Sequence, residues 1–128
     1  MGTEKIKIFI VDDEPLLLEM LVDYLLSRDD NLTIHTYPTG EKCLAHIKEN
    51  PDLVILDYYL NSRESEAADG IDILKLIKSM NKALPVIMLS SQKSFATAAN
   101  TIKYGAIHYV RKGKEAFDEI YELIKSNT

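Results

Sequence analysis

Short apolar runs alternate with amphipathic segments along the whole chain, and this alternation restricts the fold more than any other feature. Some runs are continuously apolar, as in the stretch LVIL at residues 53–56. Strands buried on both faces have this composition, whereas half-exposed antiparallel strands alternate apolar and polar residues. The pattern therefore predicts five parallel strands, at residues 5–11, 32–37, 53–57, 85–90 and 107–110.

Amphipathic helices are expected in the intervals between these strands. Apolar residues recur at helical spacing in three of the intervals, namely Leu17, Leu21, Leu25, Ile73, Leu74, Ile77, Phe117, Ile120 and Ile124. Residues 94–104 have a weaker apolar face. Repeated right-handed crossovers then give a doubly wound α/β sheet, in which ligands bind at the carboxyl ends of the strands.

The chain has the size of one domain, and its charge argues against one class of partner. We expect residues 1–128 to form a single domain, because 46% of the sequence is hydrophobic and can supply one core. The 15 Lys and Arg residues against 20 Asp and Glu residues give a formal net charge of -5, whereas nucleic-acid binders are basic. We therefore expect no nucleic-acid binding by this domain alone.

Cysteine usage and the absence of apolar leaders indicate the compartment. Cys43 is the only cysteine, so no internal disulfide can form, which fits a reducing environment. The sequence contains neither a signal-peptide pattern nor an apolar run of membrane-spanning length. We expect a cytoplasmic protein without membrane contact.

Acidic residues stand at the ends of two strands that a doubly wound sheet would place side by side. Asp12 and Asp13 follow the first predicted strand, and Asp57 closes the third. Carboxylates that converge repel one another unless a cation joins them, and oxygen ligands of this kind suit Mg²⁺. We therefore expect an acidic magnesium pocket. The alternative is that Asp13 only caps the first helix, with Pro15 at an early helical position.

Two further polar residues would lie in the same crevice. Ser90 ends the fourth predicted strand, and Lys112 follows the fifth. A carboxylate that attacks phosphorus needs the charge of its target neutralised and the phosphoryl oxygens held, which a metal, an ammonium and a hydroxyl can do. Each residue alone has an ordinary alternative, a turn serine or a surface lysine.

Four strings of the sequence together resemble the signatures of response-regulator receiver domains. They are VDDEP at residues 11–15, LD at 56–57, PVIMLS at 85–90 and GAIHYVRK at 105–112. The resemblance covers nearly the whole chain. It implies a flavodoxin-like (βα)5 fold with a five-stranded parallel sheet in the order 2-1-3-4-5.

The resemblance also implies a role for each acidic residue. Asp57 would be the phosphoacceptor. Asp12 and Asp13 would hold Mg²⁺ together with Asp57, and Tyr59 would lend its backbone carbonyl to the metal. The chain would then be a phosphoacceptor switch that assists its own phosphorylation and dephosphorylation, rather than a true enzyme.

Further roles follow from the same resemblance. Ser90 and Lys112 would bind phosphoryl oxygens, and Tyr109 would be the switch aromatic whose ring moves inward after phosphorylation. Tyr59 and Gln92 resemble the two positions that flank the path of the attacking water. A sensor histidine kinase or phosphotransfer protein would donate the phosphoryl group. An output protein or a second copy would bind the face made by residues 94–104, 107–110 and 114–125.

The sequence departs from the family pattern in two places. Asp57 and Gly70 are separated by more residues than usual, with a polar insert at residues 61–68. This loop borders the site, and we interpret it as a tolerated surface insertion. Gly113 stands where the family generally has proline after the lysine.

Other classes of protein remain open at this point. An aspartyl-phosphate phosphatase usually needs a second acid two residues after its nucleophile, where this chain has Tyr59. A flavin-binding module would bring a phosphate against Asp12 and Asp13, which would repel it. A third alternative is the receiver domain of a longer transcriptional regulator with a DNA-binding output domain.

Overall fold

Five parallel strands form one sheet in the order β2-β1-β3-β4-β5. The computed structural model describes residues 5–59, 69–91 and 94–128. The strands are β1 Ile6–Val11, β2 Leu32–Tyr37, β3 Leu53–Asp57, β4 Val86–Ser90 and β5 His108–Arg111. All four neighbouring pairs are parallel. The predicted fold class and strand order are therefore confirmed, and the predicted strand bounds agree to within one residue.

Helices follow the strands, as the sequence pattern predicts. They are α1 Pro15–Arg28, α2 Gly40–Leu44, α3 Gly70–Met80, α4 Phe95–Lys103 and α5 Ala116–Asn127. The second helical interval is less regular than we expected, since α2 is followed by a separate 3-10 helix, Ile47–Glu49. The backbone N–H of His46 donates to the carbonyl of Cys43, only three residues earlier, and this tighter turn ends the helix.

Both faces of the sheet are covered by helices. Alternate residues of β1 point to opposite faces, so that Ile8 and Ile10 pack with α1 and α5 while Phe9 packs with α2 and α3. Cys43 is fully buried in the second of these layers, and its burial raises the pKa of the thiol to about 12. The apolar runs of the strands thus have the burial that their composition predicts.

The strand register brings the candidate residues to one edge of the sheet. Val11 pairs with Leu56, so Asp12 and Asp57 follow directly on adjacent strands. Asp57 pairs in turn with Leu89, the residue before Ser90. Because parallel strands all point the same way, their carboxyl ends form a single crevice.

Gly70 allows α3 to begin against the end of β3. Its N–H donates to the carbonyl of Tyr58 at 3.0 Å. A Cβ at this position would come within 2.6 Å of the carbonyl oxygen of Asp57 and 2.7 Å of the backbone of Tyr58. Only a residue without a side chain fits this approach, so Gly70 sets the distance between α3 and the end of β3.

Candidate functional site

Three carboxylates converge at the carboxyl edge of the sheet. Asp12, Asp13 and Asp57 each have one carboxylate oxygen within 4.8 Å of the others. Asp12 and Asp57 are only 1% and 2% exposed, whereas Asp13 is half-buried. The residue before α1 is Glu14 rather than Asp13, and its side chain makes no capping hydrogen bond. The alternative of Asp13 as the N-cap residue is therefore wrong, because the helix begins one residue later.

The electrostatics of this cluster fit a divalent cation. Among the described residues, the buried Oδ2 of Asp12 accepts no hydrogen bond of good geometry, although Nζ of Lys112 lies 3.2 Å from it. Burial raises the pKa of Asp12, although the backbone N–H of Glu14 and the ammonium of Lys112 oppose this effect. Hard oxygen donors with an unsatisfied buried oxygen and excess negative charge are the ligand set that Mg²⁺ prefers. The acidic triad is thus consistent with a divalent metal site.

The pKa of Asp57 is strongly perturbed. Burial, followed by the charge of Asp12, raises the pKa of Asp57 to about 7. The ammonium of Lys112 and the backbone N–H of Tyr59, which donates to Oδ1 at 3.2 Å, oppose this rise. A carboxyl group in a cleft whose pKa lies near neutral pH is typical of a functional position.

Lys112 brings one ammonium to the cluster. Its Nζ lies 3.2 Å from Oδ2 of Asp12 and 3.5 Å from Oδ2 of Asp57. Its backbone N–H donates to the carbonyl of Ser90 at 2.7 Å, which ties the loop after β5 to the end of β4. Burial of the ammonium favours its neutral form, but the hydrogen bond to Glu14 and the charges of Asp57 and Asp12 prevail, so the pKa of Lys112 is raised.

Ser90 and Tyr59 also lie where the sequence places them, at the border of the cluster. Ser90 is fully buried at the last position of β4. Tyr59 is half-buried two residues after Asp57, and its ring packs edge-on against Tyr58 with centroids 4.8 Å apart. Gln92 and the insert at residues 61–68 lie outside the described residues.

Tyr109 lies on β5, away from the carboxylates but beside the helix that follows Ser90. It is half-buried and lines a groove of about 300 Å³ together with Phe95 and Ala98 of α4. The hydroxyl of Tyr58, the residue after Asp57, is hydrogen-bonded to Thr97 of α4. The segment after β3 is therefore connected to α4 by a polar contact.

Sequence reasoning missed Glu14. Its Oε2 accepts a hydrogen bond of 2.9 Å from Nζ of Lys112, although 98 positions separate the two residues. The signal was present as a third acid directly after Asp12 and Asp13. Nothing in the string shows, however, that this side chain turns toward the loop after β5.

Comparison with known families decides the class of this site. Residues 8–125 match the family model described as the response regulator receiver domain. The chain belongs to the response regulator receiver domain family. Domains of this family typically act as phosphoacceptor switches rather than as catalytic enzymes, and the family implies a histidine kinase as partner. Membership favours this class over the phosphatase and the flavin-binding module.

Similar proteins include longer regulators. The chain is 32% identical over 118 residues to a protein-glutamate methylesterase/protein-glutamine glutaminase of Clostridium acetobutylicum, covering 90% of this chain and 33% of that protein. It is 30% identical over 113 residues to the probable C4-dicarboxylate response regulator DctR of Bacillus subtilis, covering 88% of this chain and 48% of DctR. The chain thus spans a third to a half of the length of these two curated relatives.

Solved structures show the same fold. The receiver domain of NtrX from Brucella abortus superposes with a TM-score of 0.80 at 29% sequence identity, covering 94% of this chain and 96% of that domain.

Within the described part of the chain, no helix has the length and the apolar character needed to cross a membrane.

Proposed function

We propose that Asp57 accepts a phosphoryl group from a sensor histidine kinase or a phosphotransfer protein in a Mg²⁺-dependent reaction. The supporting observation is the position of the Asp57 carboxylate, which lies in the cluster with Asp12 and Asp13 and 3.5 Å from Nζ of Lys112. A nucleophilic carboxylate, further acids for a cation and an ammonium for phosphoryl oxygens are the parts that phosphoryl transfer requires.

In the proposed reaction an oxygen of Asp57 attacks phosphorus, and the bond from phosphorus to the donor nitrogen breaks. The imidazole of the donor leaves with the electron pair and is protonated. The N–H of Tyr59 orients Asp57 through Oδ1. Lys112 would neutralise charge on the phosphoryl oxygens, and the hydroxyl of Ser90 would donate a hydrogen bond to one of them.

The proposed metal ligands are Asp12, Asp13, Asp57 and the backbone carbonyl of Tyr59. Bound Mg²⁺ would supply positive charge for the transferring phosphoryl group. The chain itself contributes the buried Oδ2 of Asp12, which has the ammonium of Lys112 at 3.2 Å but no hydrogen bond of good geometry and would be available to the metal ion or its water.

Phosphorylation with and without Mg²⁺ tests the proposal without knowledge of the kinase. Incubation with acetyl phosphate should add the mass of one phosphoryl group, only when Mg²⁺ is present, and Asp57→Asn should abolish the addition because an amide is a far poorer nucleophile. Asp30→Asn, which changes an exposed acid before β2, is the matched control and should be labelled like wild type. Labelling that survives Asp57→Asn unchanged would contradict the assignment.

The output surface of the proposed switch is the face made by α4, β5 and α5. We propose that Ser90 moves toward the phosphoryl group, that Tyr109 turns inward, and that an output protein or a second copy then binds this face. The contact of Tyr58 with Thr97 of α4 supports the same direction of coupling. Amide hydrogen exchange with beryllofluoride and Mg²⁺ should change across residues 94–112. Changes confined to residues 58–69 would place the output surface elsewhere.

We further propose that residues 1–128 form a single receiver domain that acts in the cytoplasm. Two settings fit, a stand-alone switch or the N-terminal part of a transcriptional regulator with a DNA-binding output domain. The greater length of the curated relatives supports the second setting. The reading frame of the full-length gene distinguishes them directly.

A further inference from the structure

Glu14 occupies the position before α1 without performing the usual task of that position. Residues at a helix N-cap are favoured when their side chain accepts a hydrogen bond from the first turn, and Glu14 makes no such bond. Instead its backbone N–H donates to Oδ1 of Asp12 at 2.9 Å. This bond holds the backbone of Glu14 beside the acidic cluster. The carboxylate of Glu14 is then available to contact another residue.

The carboxylate of Glu14 reaches the ammonium that phosphoryl transfer needs. Nζ of Lys112 lies 2.9 Å from Glu14, which is closer than its 3.2 Å to Asp12 or its 3.5 Å to Asp57. The side chain of Glu14 is 57% exposed while that of Lys112 is 19% exposed. The ammonium therefore has its shortest contact with the most exposed of its three carboxylate partners.

We propose that Glu14 is a positioning residue that competes with the phosphoryl group for the ammonium of Lys112. This inference rests on the proposed function of Asp57 as phosphoacceptor. An ammonium has three donors, and in the resting site its surroundings are three carboxylates. A phosphoryl group on Asp57 brings three new acceptor oxygens and about -1.5 to -2 of charge. These oxygens compete with the carboxylates for the three donors of Lys112, and Glu14 holds the shortest of the existing contacts.

Glu14 thereby influences the rate at which Asp57 is phosphorylated and the affinity of the site for a phosphate mimic. Its negative charge repels the anionic donor, and its hydrogen bond withholds Lys112 from the incoming oxygens. Both effects act in the same direction, so neutralising Glu14 should speed phosphorylation and tighten the binding of a phosphate mimic. An ion pair with one exposed partner contributes little, so the expected change is about three- to fivefold.

Three variants separate positioning from simple charge. Glu14→Gln removes the charge of the carboxylate, and Glu14→Asp keeps the charge but shortens the side chain by one methylene, which withdraws it from Lys112. Glu115→Gln removes an exposed negative charge from the loop that follows Lys112 and is the matched control. The readouts are the affinity for beryllofluoride in saturating Mg²⁺ and the rate of phosphorylation by acetyl phosphate, in which the oxygen–phosphorus bond of the donor breaks and acetate leaves.

The inference expects Glu14→Gln to bind beryllofluoride about three- to fivefold more tightly and to be phosphorylated faster by the same factor. Glu14→Asp, which removes only the hold on Lys112, should gain about twofold in the same direction, with Glu115→Gln unchanged. If only Glu14→Gln gains, Glu14 acts by charge alone and the positioning role is refuted. No gain in either variant, or a loss, also overturns it. If wild type itself takes up no phosphoryl group, the proposed function fails instead, so the two failures are distinguishable.

Discussion

Asp57→Asn should stabilise the chain in the absence of divalent cations, and this gain should grow between pH 5 and pH 8. Burial and the charge of Asp12 raise the pKa of Asp57 from 3.8 to about 7. The folded chain must therefore bind a proton at this carboxyl group or carry a buried charge that it disfavours. Asparagine keeps the shape of the side chain and removes the charge.

The sign follows from proton binding in the two states. In the unfolded chain the carboxyl ionises near pH 3.8, and in the folded chain near pH 7. Between these values the folded state binds more protons, so stability falls as the pH rises through this window and levels off above it. At 1.36 kcal/mol per pH unit, the raised pKa of Asp57 lowers the free energy of unfolding by about 2 kcal/mol at pH 5 and by about 4 kcal/mol at pH 8.

Urea unfolding in the presence of EDTA measures this difference. The seven tyrosines and the absence of tryptophan make far-UV circular dichroism or tyrosine fluorescence suitable probes. The advantage of Asp57→Asn over wild type should grow by about 2–3 kcal/mol from pH 5 to pH 8. Asp30→Asn changes an exposed acid at the opposite edge of the sheet and should show no comparable growth.

Saturating Mg²⁺ adds an internal check to the same experiment. A ligand at one hundred times its dissociation constant stabilises the folded state by about 2.7 kcal/mol. Wild type at pH 8 should therefore recover much of the stability that Asp57→Asn has gained. An advantage of the variant that is the same at pH 5 and pH 8 would refute the electrostatic reasoning.

Three further perturbations address the metal, the packing and the water path. Asp12→Ala combined with Asp13→Ala should abolish Mg²⁺ binding in a calorimetric titration, because one carboxylate remains against the hydration of the ion. Gly70→Ala should lower the free energy of unfolding by about 1–3 kcal/mol, while Gly113→Ala, whose Cβ would meet nothing within 4 Å, should not. Tyr59→Asn should speed the loss of phosphate in a decay assay, since the ring hinders in-line attack by water; an equal or slower rate would contradict this reading.

The strands were accessible from the sequence because burial on both faces leaves a strong compositional signal, whereas their order was implied by the resemblance to receiver domains. Leu53 and its neighbours in β3 are apolar without interruption, and the structure buries every one of them. The convergence of Asp12 with Asp57 followed from the same pattern, since parallel strands end at one edge. Local composition and topology together were enough to place the acidic cluster.

The remaining features depend on side-chain paths and on close contacts that composition does not encode. The side chain of Glu14 turns toward Lys112, which lies 98 positions away in the sequence. Predicting this contact requires the rotamer of Glu14 as well as the register of the strands. The steric role of Gly70 is visible only once α3 is packed against β3, because its sequence neighbours do not reveal the approach of two backbones. The end of α2 before His46 reflects a local competition between turn types.

The buried carboxylates that lower the stability of the metal-free fold are the same groups that phosphoryl transfer uses. With a pKa of about 7, roughly half of the metal-free chains at neutral pH would carry a protonated Asp57, which is a poor nucleophile. A cation that joins the cluster must displace this proton, so protons and Mg²⁺ compete for one carboxylate. The burial that weakens the metal-free fold thus lowers the fraction of nucleophilic Asp57 carboxylate until a cation arrives. The ammonium of Lys112 is then shared between Glu14 and the phosphoryl oxygens.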